Sequence, residues 1–346
     1  LALEAIIGLL MSSILLLPSI MTIISNTRLS DNLWGFDMIC YNNVQRYGLI
    51  LESMFFPPDI PARPNFFPDS NSKWSSVSLF LPLFSMAGVF AFFKGVKKHW
   101  AKTLLSICVL LAFIPILNAS FSAFNYSYYA RWFYMPLLIM AMVTCIALEN
   151  HEEHFPFGIK LNLAIVGAFS LIGVLPKKED GKLIFFSLPP HPERFWAYVI
   201  IALIGIVLTY TLYTLSTKHK RFITIAVSML IPFICVYSMF VIFTGKTEGN
   251  GYDVVAKQAI KWRPPQYAEL EEQFFRIDSY DELDNLGMHW QMPTINAFHS
   301  VVPSSVTEYY VEIGEKRGVA SRPKPEYIGI RALNSVKYQY KKANKT

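Results

Sequence analysis

The sequence predicts a mostly α-helical, polytopic membrane bundle of about seven spans followed by a small α/β domain. Three observations lead there. Of the 346 residues, 53% are hydrophobic and only 16% are charged, more apolar surface than a soluble domain buries. The apolar residues gather into runs of roughly membrane-spanning length. After Thr244 that pattern stops, and about 100 mixed residues follow. The division is therefore 1–244 for the membrane region and 245–346 for the second domain.

Leu1 to Ser25 is apolar apart from Glu4 and lacks a basic leader, so it reads as a membrane helix rather than a signal peptide. The absence of an initial methionine suggests a fragment of a longer chain. A long polar loop, 26–77, carries Pro57, Pro58, Pro61, Pro64 and Pro68, and loops of this length are functional or flexible. Its acids, Asp31, Asp37, Glu52, Asp59 and Asp69, stand at no spacing diagnostic of a metal or an acid/base pair. Six further apolar runs follow, about Ser78–Phe93, Thr103–Leu117, Trp132–Leu148, Ile159–Leu175, Phe195–Leu215 and Phe222–Phe243. Pro82, Pro115, Pro136 and Pro232 lie within them and mark kinks or helix ends.

Charge sets the orientation. Lys94, Lys97, Lys98 and Lys102 crowd one link, Lys218, Lys220 and Arg221 another, and an even number of crossings separates them, so both are expected to be cytoplasmic. The loops 26–77, 118–131 and 176–194 and everything after Thr244 then face outward, although Lys177, Lys178, Lys182 and Arg194 place an external cluster where the rule prefers none. The net charge of +6 is spread over these links, so no nucleic-acid partner is expected.

In the C-terminal segment, FFRID at Phe274–Asp278 and VKYQY at Val336–Tyr340 read as strands. Ser304 or Ser305 is placed to cap a helix through VTEYYVEIG. Gly245-Lys246-Thr247 resembles the end of a phosphate loop, but Phe240 stands where the leading glycine is required. His151-Glu152-Glu153-His154 sits in a short link closed by Pro156, and the four cysteines have no metal-type spacing. No metal and no cofactor are expected.

The richest stretch is NASFSAFNYSYYARWFYMPLLIMAMVTCIAL at Asn118–Leu148. Tyr126, Tyr128 and Tyr129 lead into Arg131 and Trp132, directly before an uncharged run of about 17 residues. An arginine there holds its guanidinium in the headgroup layer, among aromatics suited to the interface. If the protein handles a lipid-linked substrate, this is where it is expected to bind.

FNYSYYARWFYMPLL at Phe124–Leu138, MFFPPDIPARPN at Met54–Asn65, NLGMHWQMPTINAFHS at Asn285–Ser300 and RALNSVKYQY at Arg331–Tyr340 resemble the bacterial YfhO family over most of the sequence. The resemblance implies a multi-pass membrane glycosyltransferase of the GT-C type. Its donor would be a polyprenyl-phosphate-linked sugar and its acceptor a cell-envelope polymer such as lipoteichoic acid, on the outer face. Such enzymes carry an acidic residue in their first outer loop, and this fragment is expected to begin after it. Asp31 and Asp37 are the substitutes. The departing phosphate needs fixed donors, for which Arg131, then Arg28, are the candidates, with Tyr128 and Tyr129 beside them. His289 and His299 are candidates for an acceptor groove. A flippase for lipid-linked saccharides and a non-catalytic assembly scaffold are the rival classes. The flippase would show ionisable groups deep in its spans, where the sequence has almost none besides Glu4.

Overall fold

The computed structural model describes residues 2–24, 32–59, 64–72, 74–150, 152–179, 182–218, scattered residues between 228 and 243, and 273–280, 284–299, 302–315, 320–321 and 323–340. The chain forms two compact units, Asn32–Gly249, and Leu1–Asp31 together with Asn250–Thr346.

The larger unit is helical. α2 is Gln45–Glu52, α3 Ala87–Gly95, α4 Trp100–Phe113, α5 Pro115–Ala119, α6 Tyr134–Asn150, α7 Phe155–Val174 and α8 Pro192–Lys218. By length and composition three helical stretches, Arg131–Asn150, Glu152–Val174 and Pro192–Leu215, can cross a membrane. They correspond to three of the expected runs. A fourth crossing is available if α4 and α5, bent by 100° at their junction, count as one broken span. Pro115 supplies that bend, because its ring cannot continue α4 while its fixed φ starts α5. The run Phe222–Phe243 lies largely outside the described residues.

One expected span is corrected. Ser78–Phe93 holds a helix only from Ala87, and α3 has just nine residues, about 14 Å of rise. Ahead of it Leu83 and Ser85 adopt positive φ of 73° and 46°, which no helix accommodates. The irregular backbone is satisfied by the surrounding helices. The Thr209 hydroxyl donates to the Leu83 carbonyl at 2.8 Å, and Ser85 Oγ lies 3.2 Å from both the Met54 carbonyl and Asn162 Oδ1. Non-helical chain inside a membrane bundle persists only where protein covers it in this way.

α3 packs against both α6 and α7, and α7 packs against α8. Two glycines set the spacing. A Cβ on Gly158 would stand 2.1 Å from the Ala87 carbonyl oxygen, and one on Gly88 would meet the Thr144 side chain at 2.3 Å. Small residues at such crossings let backbones approach where burial of apolar surface cannot drive association. Phe92, Phe133, Val143, Phe155, Val166 and Phe195 fill the shared core. β1 (Lys177–Glu179) and β2 (Lys182–Ile184) form a hairpin between α7 and α8.

In the other unit α1 spans Ala2–Ile24. Farther along, β3 (Arg276–Asp278) pairs in parallel with β6 (Val336–Gln339), and β4 (Ala297–Phe298) pairs antiparallel with β5 (Ala320–Ser321). Three short helices lie among them, α9 Leu286–His289, α10 Ser304–Glu312 and α11 Ile328–Leu333. The helix expected after Ser304 forms, but neither serine caps it: Pro303 holds the cap position without a side-chain bond. Arg331 and Asp278 make a buried pair at 2.6 Å, and three backbone carbonyls accept from the same guanidinium.

Candidate functional site

A cleft of about 300 Å³ opens in the larger unit, lined by segments far apart in sequence. Asp37, Tyr41 and Asn42 precede α2, Arg46 comes from its first turn, and Asn71 and Trp74 come from the following loop. Asn118 is from α5, and Asn125, Tyr126, Tyr128 and Tyr129 follow it. The floor is tied together by side chains. The Tyr41 hydroxyl donates to the Ala112 carbonyl at 2.8 Å, Asn118 Nδ2 donates to the Tyr129 carbonyl at 3.0 Å, and Trp132 Nε1 donates to Asn118 Oδ1 at 2.8 Å. Asn71 and Trp74 hold positive φ, 52° and 67°. Strained backbone of this kind persists where the surroundings over-determine it, as they do at ligand sites.

Arg46 is the central charge. It is 6% exposed, and its Cζ lies 4.9 Å from the Tyr41 ring centre and 4.4 Å from that of Tyr128. Two aromatic faces therefore fix the guanidinium. Nε donates to the Ser70 carbonyl at 3.2 Å. Neither terminal nitrogen has a hydrogen-bond partner among the described residues, and no carboxylate there forms an ion pair with it. Burial draws the Arg46 pKa down from its ordinary value, while the adjacent tyrosines act the other way. The Tyr128 hydroxyl is also buried without a partner, and burial raises its pKa far enough to keep it a neutral donor. A planar two-nitrogen fork with a phenol beside it suits an anionic oxygen cluster such as phosphate.

A second polar cluster comes from the other end of α2. Glu52 is 2% exposed and its Oε1 has no partner among the described residues. Burial raises its pKa well above the ordinary carboxylate value, and the nearby Asp59 adds to the effect. Asp59 itself accepts from the Asn65 backbone N–H and lies 3.6 Å from Arg194 Nε. Asn65 is locked in turn, exchanging hydrogen bonds with His191 at 3.0 and 3.1 Å.

Of the residues expected from sequence, Asp37, Tyr128 and Tyr129 line the cleft. Arg131 is not among its lining. It is exposed, with Cζ 5.0 Å from the Tyr129 ring centre. Arg28 and Asp31 fall outside the described residues. His289 and His299 are exposed residues of the other unit. Sequence reasoning passed over Arg46, for which the available signal was an arginine set between Tyr41 and Tyr47 in a loop otherwise rich in acids. Among the described residues no group of three or more His, Cys, Asp or Glu side chains is placed to hold a metal.

No curated protein and no solved structure matches the chain. The family model described as bacterial membrane protein YfhO matches residues 1–346, so the chain belongs to the YfhO family of bacterial membrane proteins.

Proposed function

We propose that this membrane protein transfers a sugar from a polyprenyl-phosphate donor to a cell-envelope polymer such as lipoteichoic acid, and that Arg46 holds the donor phosphate. The observation that carries the reading is the guanidinium held between Tyr41 and Tyr128 in a polar cleft, with its two terminal nitrogens unpartnered among the described residues. Family membership supports it through the implied GT-C chemistry. Charge supports the outer face: the lysine-rich link precedes α4, whereas Asn118, Asn125, Tyr126, Tyr128 and Tyr129 of the cleft follow its far end.

In the reaction an acceptor hydroxyl oxygen attacks the anomeric carbon of the sugar. The bond from that carbon to the phosphate oxygen breaks, and the departing polyprenyl phosphate takes the electron pair. Arg46 and the Tyr128 hydroxyl meet the charge that develops there, a stabilisation that grows toward the transition state. The hydroxyl proton passes to a carboxylate, for which Asp37 lines the same cleft. Tyr129, which lines the cleft, and Arg131 beside it are proposed near the lipid. The reaction as written uses no metal and no cofactor.

The test uses the full chain in vesicles with an isotope-labelled polyprenyl-phosphate sugar and an envelope-polymer acceptor. Label reaches the polymer with wild type and falls by at least about tenfold in Arg46→Gln, a barrier increase of about 1.4 kcal/mol or more. Movement of labelled lipid across the bilayer with no transfer would establish the flippase reading instead. Neither transfer nor movement would leave the scaffold.

A further inference from the structure

Directly beyond the wall of the cleft lies a second cavity of opposite character. It has a volume of about 250 Å³, and its walls are almost wholly apolar, formed by Met54, Met86, Val109, Trp132, Pro136 and Met140 together with neighbouring residues of α3, α4 and α6. Two hydrogen bonds join the chambers through single residues. Ala112 lines the groove and accepts from Tyr41 of the cleft, and Trp132 lines the groove and donates to Asn118 of the cleft. The same broken helix serves both: α4 borders the groove, and past the 100° bend α5 borders the cleft. Phe93 and Val109, 37% and 46% exposed, leave the groove open along its flank.

A charged fork and an apolar trough separated by one layer of side chains match an amphiphile, with its anion on one side and its hydrocarbon on the other. We infer that the groove between α3, α4 and α6 holds the hydrocarbon chain of the phospholipid donor whose phosphate binds at Arg46. The inference rests on the phosphate reading of Arg46. The volume, below the range of about 300–1,000 Å³ for pockets that enclose a whole ligand, admits the segment of chain nearest the phosphate, and the open flank passes the remainder into the bilayer. Binding energy from this remote, unreactive part of the donor then positions its phosphate.

The experiment measures binding of two probes to the full chain in phosphatidylcholine nanodiscs, a C55 polyprenyl monophosphate and a five-carbon prenyl monophosphate too short to fill the groove. Val109→Trp plugs the trough from its exposed side. It weakens the C55 probe at least tenfold and leaves the five-carbon probe within twofold, whereas Arg46→Gln weakens both. Undiminished C55 binding in Val109→Trp, with Arg46→Gln still impaired, overturns the groove and spares the phosphate site. Undiminished binding of both probes in Arg46→Gln overturns the phosphate reading and the groove with it. Because a bulky variant can perturb packing, wild type is also photolabelled with a C55 phosphate carrying a diazirine on its second isoprene unit. Labels on Met86, Val109 or Met140 support the inference. Labels confined to other positions, as expected if bilayer lipid fills the trough, overturn it.

Discussion

Glu52→Gln separates a buried acid from the proton it carries. Glu52 sits 2% exposed with one oxygen unpartnered among the described residues, so burial, reinforced by Asp59, favours its protonated form. The folded state therefore keeps a proton at pH values where the unfolded chain has released it. Stability falls as pH rises above the ordinary glutamate value of 4.5, continues to fall until the folded pKa is reached, and is level below and beyond that window. Within it the slope approaches 1.4 kcal/mol per pH unit for one proton. For a unit of this size that is about 3–5 °C of melting temperature per pH unit. Glutamine keeps the shape and removes the equilibrium. An unsatisfied amide shifts its whole curve by a constant without changing its slope, so the slope is the quantity to compare. Thermal unfolding in detergent at fixed scan rate, from pH 5 to 8, gives a wild-type melting temperature that drops relative to Glu52→Gln as pH rises toward the folded pKa. Parallel curves would refute the argument, since they would mean that Glu52 is ionised in the folded protein and has a counter-ion.

Gly158→Ala forces a methyl against the Ala87 carbonyl and is expected to cost about 1–3 kcal/mol, seen as a lower melting temperature, whereas Gly167→Ala, with nothing within 4 Å, leaves it unchanged. Arg131→Ala is expected to leave sugar transfer within about threefold of wild type in the vesicle assay, because an exposed guanidinium contributes little to binding geometry; a tenfold loss would move the phosphate site to the Arg131 loop. Asp278→Asn leaves the Arg331 guanidinium buried without its counter-charge, at a cost of about 3–5 kcal/mol, and limited proteolysis should then cut preferentially after Asn250.

The membrane class and three helices were legible in the sequence for one reason. Partition of an apolar run depends on the sum of its residues, so α6, α7 and α8 emerge near their observed ends without knowledge of their neighbours. The same sum misreads Ser78–Phe93, where apolar character is high but Pro82 and the positive φ angles of Leu83 and Ser85 break the helix. That irregular segment survives because Thr209 and Asn162, from helices much later in the chain, supply its hydrogen-bond partners. In the cleft, Tyr128 and Tyr129 stood out as aromatics at a membrane boundary, and Asp37 as an acid of the long loop.

Arg46 did not stand out, and the reason is general. A guanidinium becomes a binding group when its surroundings hold it still and leave its donors free. For Arg46 the holding groups are Tyr41 nearby and Tyr128 far along the chain, with Ser70 from the loop between them. Local sequence sets where the chain meets lipid and which stretches coil, because those depend on each residue's own transfer energy and backbone preference. Which charge faces an open cleft, which acid is buried and which apolar wall lies behind them were decided only by tertiary packing, since desolvation and hydrogen bonding depend on residues brought together from distant parts of the chain.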